Sequence, residues 1–240
     1  NVHNIDFLKE ITSLEFLNIS DNKINNIGII AGLKKLRHLD ISNNIVINIE
    51  PIKNLFKLVE IYATNNKIED ISALKELVNI KELYLSNNCI EDISNLKEIH
   101  ELERLELDNN KINNLSGLET MKSLSVLSMS NNKNINNYEN LSELTNLYIL
   151  KLNNNQITDL PNLKNIKKLG YIYLNNNELT NLDFLAENVE LELIEAENNN
   201  IKNLDFLEKL EKLEYINLKN NGINNKDIIN KYDYIYEFII

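Results

Sequence analysis

An asparagine recurs at a near-constant period: Asn22, Asn44, Asn66, Asn88, Asn110, Asn132, Asn155, Asn177, Asn199 and Asn221. Eight of the nine intervals are 22 residues, and the ninth, Asn132 to Asn155, is 23. Each asparagine closes one phrase, L-x-x-L-x-L-x-x-N-x-I, with other apolar residues substituting at places. A period in the 20s signals a stack of like supersecondary units, none able to bury its apolar face alone.

The segment 80–101 shows how one unit folds. Leu83 and Leu85 alternate with polar neighbours, the two-residue period of a short strand with one buried face. After Asn88 the apolar residues Ile90, Ile93, Leu96 and Ile99 recur every three. That period suits a 3₁₀ turn or irregular coil better than an α-helix. Each unit therefore reads as strand, tight turn and convex return, with the strands of successive units parallel. The asparagine amide carries two donors and an acceptor, enough to serve its own loop and the next. The residue before it is Asn in every repeat but one, where it is Asp21. Both types tolerate left-handed turn conformations. The asparagines are thus structural and not a ligand site.

These residues resemble the leucine-rich repeat family, in particular its 22-residue class, which includes Sds22-type phosphatase-1 regulators and bacterial internalins. Ten strand phrases begin at Leu14, Leu36, Leu58, Ile80, Leu102, Leu124, Leu147, Leu169, Leu191 and Leu213. The returns Glu69–Leu74 and Glu91–Leu96 look like the D-I-S-x-L segments of internalins, whereas Asn79–Glu91 reads equally well as Sds22-like. The resemblance implies an α/β solenoid with a curved parallel β-sheet on its concave face and 3₁₀ or irregular returns on its convex face. The expected organisation is a single domain over 1–240: a partial repeat at 1–13, ten repeats at 14–225 and a capping helix at 226–240. The helix is read from Ile228, Ile229, Tyr232, Ile235, Tyr236 and Ile239, an amphipathic spacing. The chain starts without Met and in mid-repeat, as a fragment or processed form would.

Three local departures stand out. The 23-residue unit carries its extra residue between Asn132 and Ile135, where a bulge is expected. Asn188 occupies a position otherwise Leu, Ile or Met, so an irregular return is expected there. Ala63 and Ala196 replace larger strand residues.

The outward strand residues form two rows. One runs Asn18, Asp40, Tyr62, Tyr84, Glu106, Ser128, Lys151, Tyr173, Glu195, Asn217; the other runs Phe16, His38, Glu60, Glu82, Arg104, Val126, Ile149, Tyr171, Leu193, Tyr215. Tyr62 and Tyr84, flanked by Glu60 and Glu82, form one group, beside Arg104 and Glu106. Val126, Ile149, Tyr171, Tyr173, Leu193 and Tyr215 form an apolar and aromatic tract. Exposed aromatics of this kind mark binding surfaces. Acidic residues exceed basic ones along this face, which suits a protein partner with a basic patch.

The net charge of −11 disfavours nucleic acid as a direct ligand. No run of 18 apolar residues offers a membrane-spanning helix. The lone Cys89 cannot form an internal disulfide. His3, His38 and His100 lack metal-ligand spacing, and no phosphate-cradling or nucleophile motif occurs. The expectation is a non-enzymatic, monomeric protein-binding scaffold without cofactor or metal. Internalin-like binding of a host or cell-surface protein and Sds22-like phosphatase regulation are the concrete alternatives. The compartment, cytoplasm or bacterial cell surface, stays open.

Overall fold

A computed structural model describes residues 2–224 and 230–240. Among the described residues, eleven three-residue strands form one parallel sheet in chain order. They are β1 (Phe16–Asn18), β2 (His38–Asp40), β3 (Glu60–Tyr62), β4 (Glu82–Tyr84), β5 (Arg104–Glu106), β6 (Val126–Ser128), β7 (Ile149–Lys151), β8 (Tyr171–Tyr173), β9 (Leu193–Glu195), β10 (Tyr215–Asn217) and β11 (Glu237–Ile239). The register advances one repeat per strand, so Tyr62 pairs with Tyr84 and Glu82 with Arg104. Returns such as Ser72–Leu74 and Ser94–Leu96 are 3₁₀ turns, as the three-residue apolar period requires. The return side is bulkier than the strand side, so the stack bends toward its strands and makes their outer face concave. No helix among the described residues is long and apolar enough to cross a membrane.

The core is one continuous column of Leu and Ile, to which each coil adds the same positions. Ala63 and Ala196 lie fully inside it. Beside this column runs the asparagine ladder. Asn110 accepts from the Ile90 amide at 3.0 Å and donates to the carbonyls of Leu85 and Leu107, both at 3.0 Å. One side chain thus ties its own turn to the preceding coil. Asn44, Asn66, Asn88, Asn177 and Asn199 repeat this arrangement. The residue before each ladder asparagine has a positive φ of 55–61°. That is the left-handed region, which Asn and Asp enter at low cost.

The extra residue after Asn132 is taken up as an additional turn at 133–134, as expected, with the Ile135 amide donating to the Asn132 carbonyl at 3.4 Å. The next rung shifts in response. Asn155 accepts from the Asn132 amide and donates to the Met129 carbonyl.

Two expectations are corrected. The return through Asn188 is regular: its amide donates to the Leu185 carbonyl and its carbonyl accepts from Leu191, as in other coils. Its side chain, 1% exposed, reaches back to the carbonyls of Leu163 and Ile166 at 2.9 and 3.0 Å. A side-chain amide therefore substitutes for an apolar residue by crossing to the preceding coil, leaving only its Oδ1 unpartnered.

The capping helix expected at 226–240 is not seen over 230–240, and its first residues, 226–229, lie outside the described residues. Tyr232, Ile235 and Phe238 fall 22 residues after Leu210, Leu213 and Ile216. They continue the repeat: Tyr232 and Ile235 are buried, and β11 pairs with β10. The three-residue spacing of a return mimics the amphipathic spacing of a helix. An eleventh strand, not a helix, covers the edge of β10.

Replacing Asn110 by Ala should cost about 1–3 kcal/mol, because it strands buried backbone groups. Asn109→Ala should cost clearly less than Asn110→Ala, about 1 kcal/mol, from left-handed strain alone. Asn109→Gly should fall within about 0.5 kcal/mol of wild type. Denaturant melts check the order; equal costs at 109 and 110 would refute the ladder. Removing residues 230–240 should lower the melting point and promote association through the uncovered edge of β10. A truncated chain that stays monomeric with an unchanged melt would contradict the capping role of β11.

Candidate partner-binding face

Strand alternation turns the first and third residue of each strand away from the core. The structure places Glu60, Tyr62, Glu82, Tyr84, Arg104, Glu106, Ile149, Tyr171, Tyr173, Leu193 and Tyr215 on this one face, each half-buried among its neighbours. They fall into two groups.

The first group spans β3 to β5. Tyr62 and Tyr84 stack with centroids 4.5 Å apart and planes 9° from parallel. Each phenol donates to the glutamate two residues before it, Tyr62 to Glu60 at 3.3 Å and Tyr84 to Glu82 at 2.6 Å. Arg104 meets Glu106 at 3.1 Å. His38 Nδ1 lies 3.0 Å from Glu60. Beside this group a cleft of about 210 Å³ opens between Phe16, His38, Leu39, Asp40, Glu60 and Tyr62.

The second group spans β7 to β10. Ile149, Tyr171, Leu193 and Tyr215 are consecutive across the sheet. Behind them, the Lys151 ammonium sits 5.5 Å from the Tyr173 ring centre, within cation–π range. Asn217 and Asn175 both donate to Glu195.

Strand β6 separates the groups and corrects the sequence reading. Val126 is only 7% exposed, so the apolar tract begins at Ile149. Ser128, 2% exposed, spends its hydroxyl on the Asp108 carboxylate at 2.7 Å. Short side chains in a concave sheet sink below longer neighbours, here Arg104 and Ile149 in register with Val126.

Sequence reasoning missed Tyr148, Gly170 and Glu192. The Tyr148 ring lies against Gly170, where an added Cβ would come within 2.3 Å of it. From there it meets Tyr171 edge-on at 5.2 Å. Glu192 accepts from both phenols, Tyr148 at 3.2 Å and Tyr171 at 2.9 Å. The available signal was a lone glycine just before a strand, where other repeats carry Arg37, Lys81 or Glu103.

These contacts favour the neutral form of the phenols. Burial, then Glu60 and Glu82, pushes Tyr62 above its ordinary value. Burial, then the bond to Glu82, does the same to Tyr84. The bonds to Glu192 and then Tyr148 raise Tyr171. Burial and then Glu195 raise Tyr173 and Tyr215. Among the described residues no group of His, Cys, Asp and Glu is placed to hold a metal.

A family model described as "Leucine Rich repeats (2 copies)" matches residues 12–54 and 57–98. The chain has the leucine-rich repeat fold. An internalin (inlF) from Listeria monocytogenes superposes with a TM-score of 0.82 at 26% identity, over 98% of this chain and 76% of that one. A leucine-rich repeat protein from Leptospira interrogans gives 0.75 at 22% identity, over 98% and 68%. The plant peptide hormone receptor RGFR1, solved in complex with RGF2, gives 0.71 at 20%, over 99% and 45%. No curated protein sequence matches this leucine-rich repeat chain.

Because folding raises these phenol pKa values, the stability they lend is complete below about pH 10 and is lost as pH rises through the folded values. Tyrosinate absorbance should therefore rise in an ordinary phase near pH 10 and a later phase. Tyr84→Phe should remove amplitude from the later phase. Loss from the earlier phase instead would mean the Tyr84–Glu82 contact does not form in solution.

Proposed function

We propose that this protein is a non-enzymatic scaffold that binds a protein partner on its concave face. The observation that carries the reading is the unbroken run of Ile149, Tyr171, Leu193 and Tyr215 across four strands, outside the core. Half-exposed tyrosines supply contact area with a polar tip, and such residues dominate binding energy at interfaces. The anionic group at β3–β5 favours a partner with a basic surface. The leucine-rich repeat fold commonly serves as an interaction module, and the plant receptor superposed above was solved in complex with a peptide hormone. We place the protein as a monomer, one domain over the whole chain.

An internalin-like role, binding a host or cell-surface protein, is the version that the 26% identity over 98% of the chain favours. Regulation of a phosphatase in the Sds22 manner draws on the repeat phrase alone.

With a partner recovered by affinity capture, Tyr84→Ala and Tyr173→Ala should each weaken binding by about 2 kcal/mol or more while leaving the melt nearly unchanged. Lys97→Ala and Glu119→Ala, on the convex side, should leave affinity within about 0.5 kcal/mol. The reverse pattern would remove the concave face from consideration.

A further inference from the structure

The cleft beside the tyrosine stack has features the rest of the face lacks. Its walls are aromatic: Phe16 on β1, 61% exposed, and Tyr62 on β3. Tyr62 lends one ring face to Tyr84 in the parallel stack, and its opposite face lies on the β2 side, where the cleft opens. Between the walls stand two carboxylates, Asp40 and Glu60. Both are held in place. Asp40 accepts from the Ser42 amide at 2.9 Å and from Asn18 at 3.0 Å. Glu60 takes His38 and Tyr62 on the same oxygen, Oε2, and among the described residues no donor reaches its Oε1. No Lys or Arg lines the cleft. At about 210 Å³ it is smaller than the roughly 300 Å³ at which small-molecule pockets begin, and suits one side chain.

We propose that this cleft is a subsite for an arginine side chain presented by the protein partner. The reading rests on the concave face being the binding face. A guanidinium is planar, always charged, and stacks on aromatic faces while forking its donors toward carboxylates. The open face of Tyr62 supplies the stacking surface, Phe16 the opposing wall, and Asp40 with Glu60 the acceptors. A lysine ammonium would satisfy the charge but not the stack, so the cleft discriminates between the two cations. The nearest strand of the site, β3, stands four strand steps from β7, about 19 Å. A partner segment can therefore seat an arginine here and apolar side chains on the Ile149–Tyr215 run at once.

The test titrates N-acetyl-arginine amide into isotope-labelled full-length protein and follows backbone amide resonances. Shifts should concentrate at Phe16, His38, Asp40, Glu60 and Tyr62. The citrulline analogue, equal in shape but uncharged, should bind at least about tenfold more weakly, as expected for lost charge-assisted bonds. The lysine analogue should also be weaker than arginine. Glu60→Gln, Asp40→Asn and Tyr62→Ala should each reduce arginine binding, with resonances outside the cleft unchanged as the folding control. Citrulline or lysine binding as well as arginine would overturn the proposal, as would shifts scattered over the surface. So would dilution-dependent shifts at the same residues without a probe effect, which would assign the cleft to a second copy of this chain. The two readings fail separately. If the recovered partner maps to Tyr171 and Tyr173 while the arginine probe leaves the cleft untouched, the subsite falls and the concave face stands. If the probe fills the cleft while the partner maps to Lys97 and Glu119, the concave-face reading falls alone.

Discussion

The ladder asparagine joins each coil to the one before it. A coil of 22 residues turns sharply after its strand, and that turn leaves backbone groups facing inward, where water cannot reach them. Buried amides and carbonyls without partners are costly. Asn88 answers this with a single side chain: its Oδ1 takes the Ile68 amide of the preceding coil, and its Nδ2 serves the Leu85 and Ala63 carbonyls. The leucine column beside it supplies the hydrophobic driving force, but apolar burial is non-directional. The amide supplies direction, fixing where each turn sits against its neighbour and so the register of the sheet.

That division of labour leaves the concave face unconstrained by folding. Core and ladder consume the inward positions, and the outward strand positions vary freely from coil to coil. Along them the chain carries carboxylates and stacked tyrosines over β3–β5 and apolar side chains over β7–β10. Strand β6, with Val126 and Ser128 sunk below their neighbours, divides the two. A partner reading this face would meet charge at one end and apolar area at the other. That arrangement favours a defined orientation over general stickiness.

The repeat was legible because its cause is local: the same seven apolar positions and one amide recur, so period, strand and return follow from counting. The outward residues followed from alternation alone. Depth did not. Alternation says that Val126 points out of the core but not that longer neighbours overtop it. The end of the chain misled because Tyr232 and Ile235 satisfy both a helical spacing and the frame of the coil before, and the frame prevailed by pairing β11 with β10. Asn188 looked like a flaw because its new partners, the Leu163 and Ile166 carbonyls, lie one coil away and have no signature in sequence. The Tyr148–Glu192 contact spans two repeats, and only the lone Gly170 hinted at it.

The most direct test of this account is native-state hydrogen exchange at the Ile90 amide. It lies in the loop after the strand, and its only acceptor among the described residues is the Asn110 side chain. The account predicts protection comparable to the strand amides in the wild-type protein. In Asn110→Ala that protection should be lost, while the Ile68 amide, held by Asn88, keeps its own. An Ile90 amide that exchanges like an unbonded loop amide in the wild-type protein would contradict the claim that the ladder joins the coils.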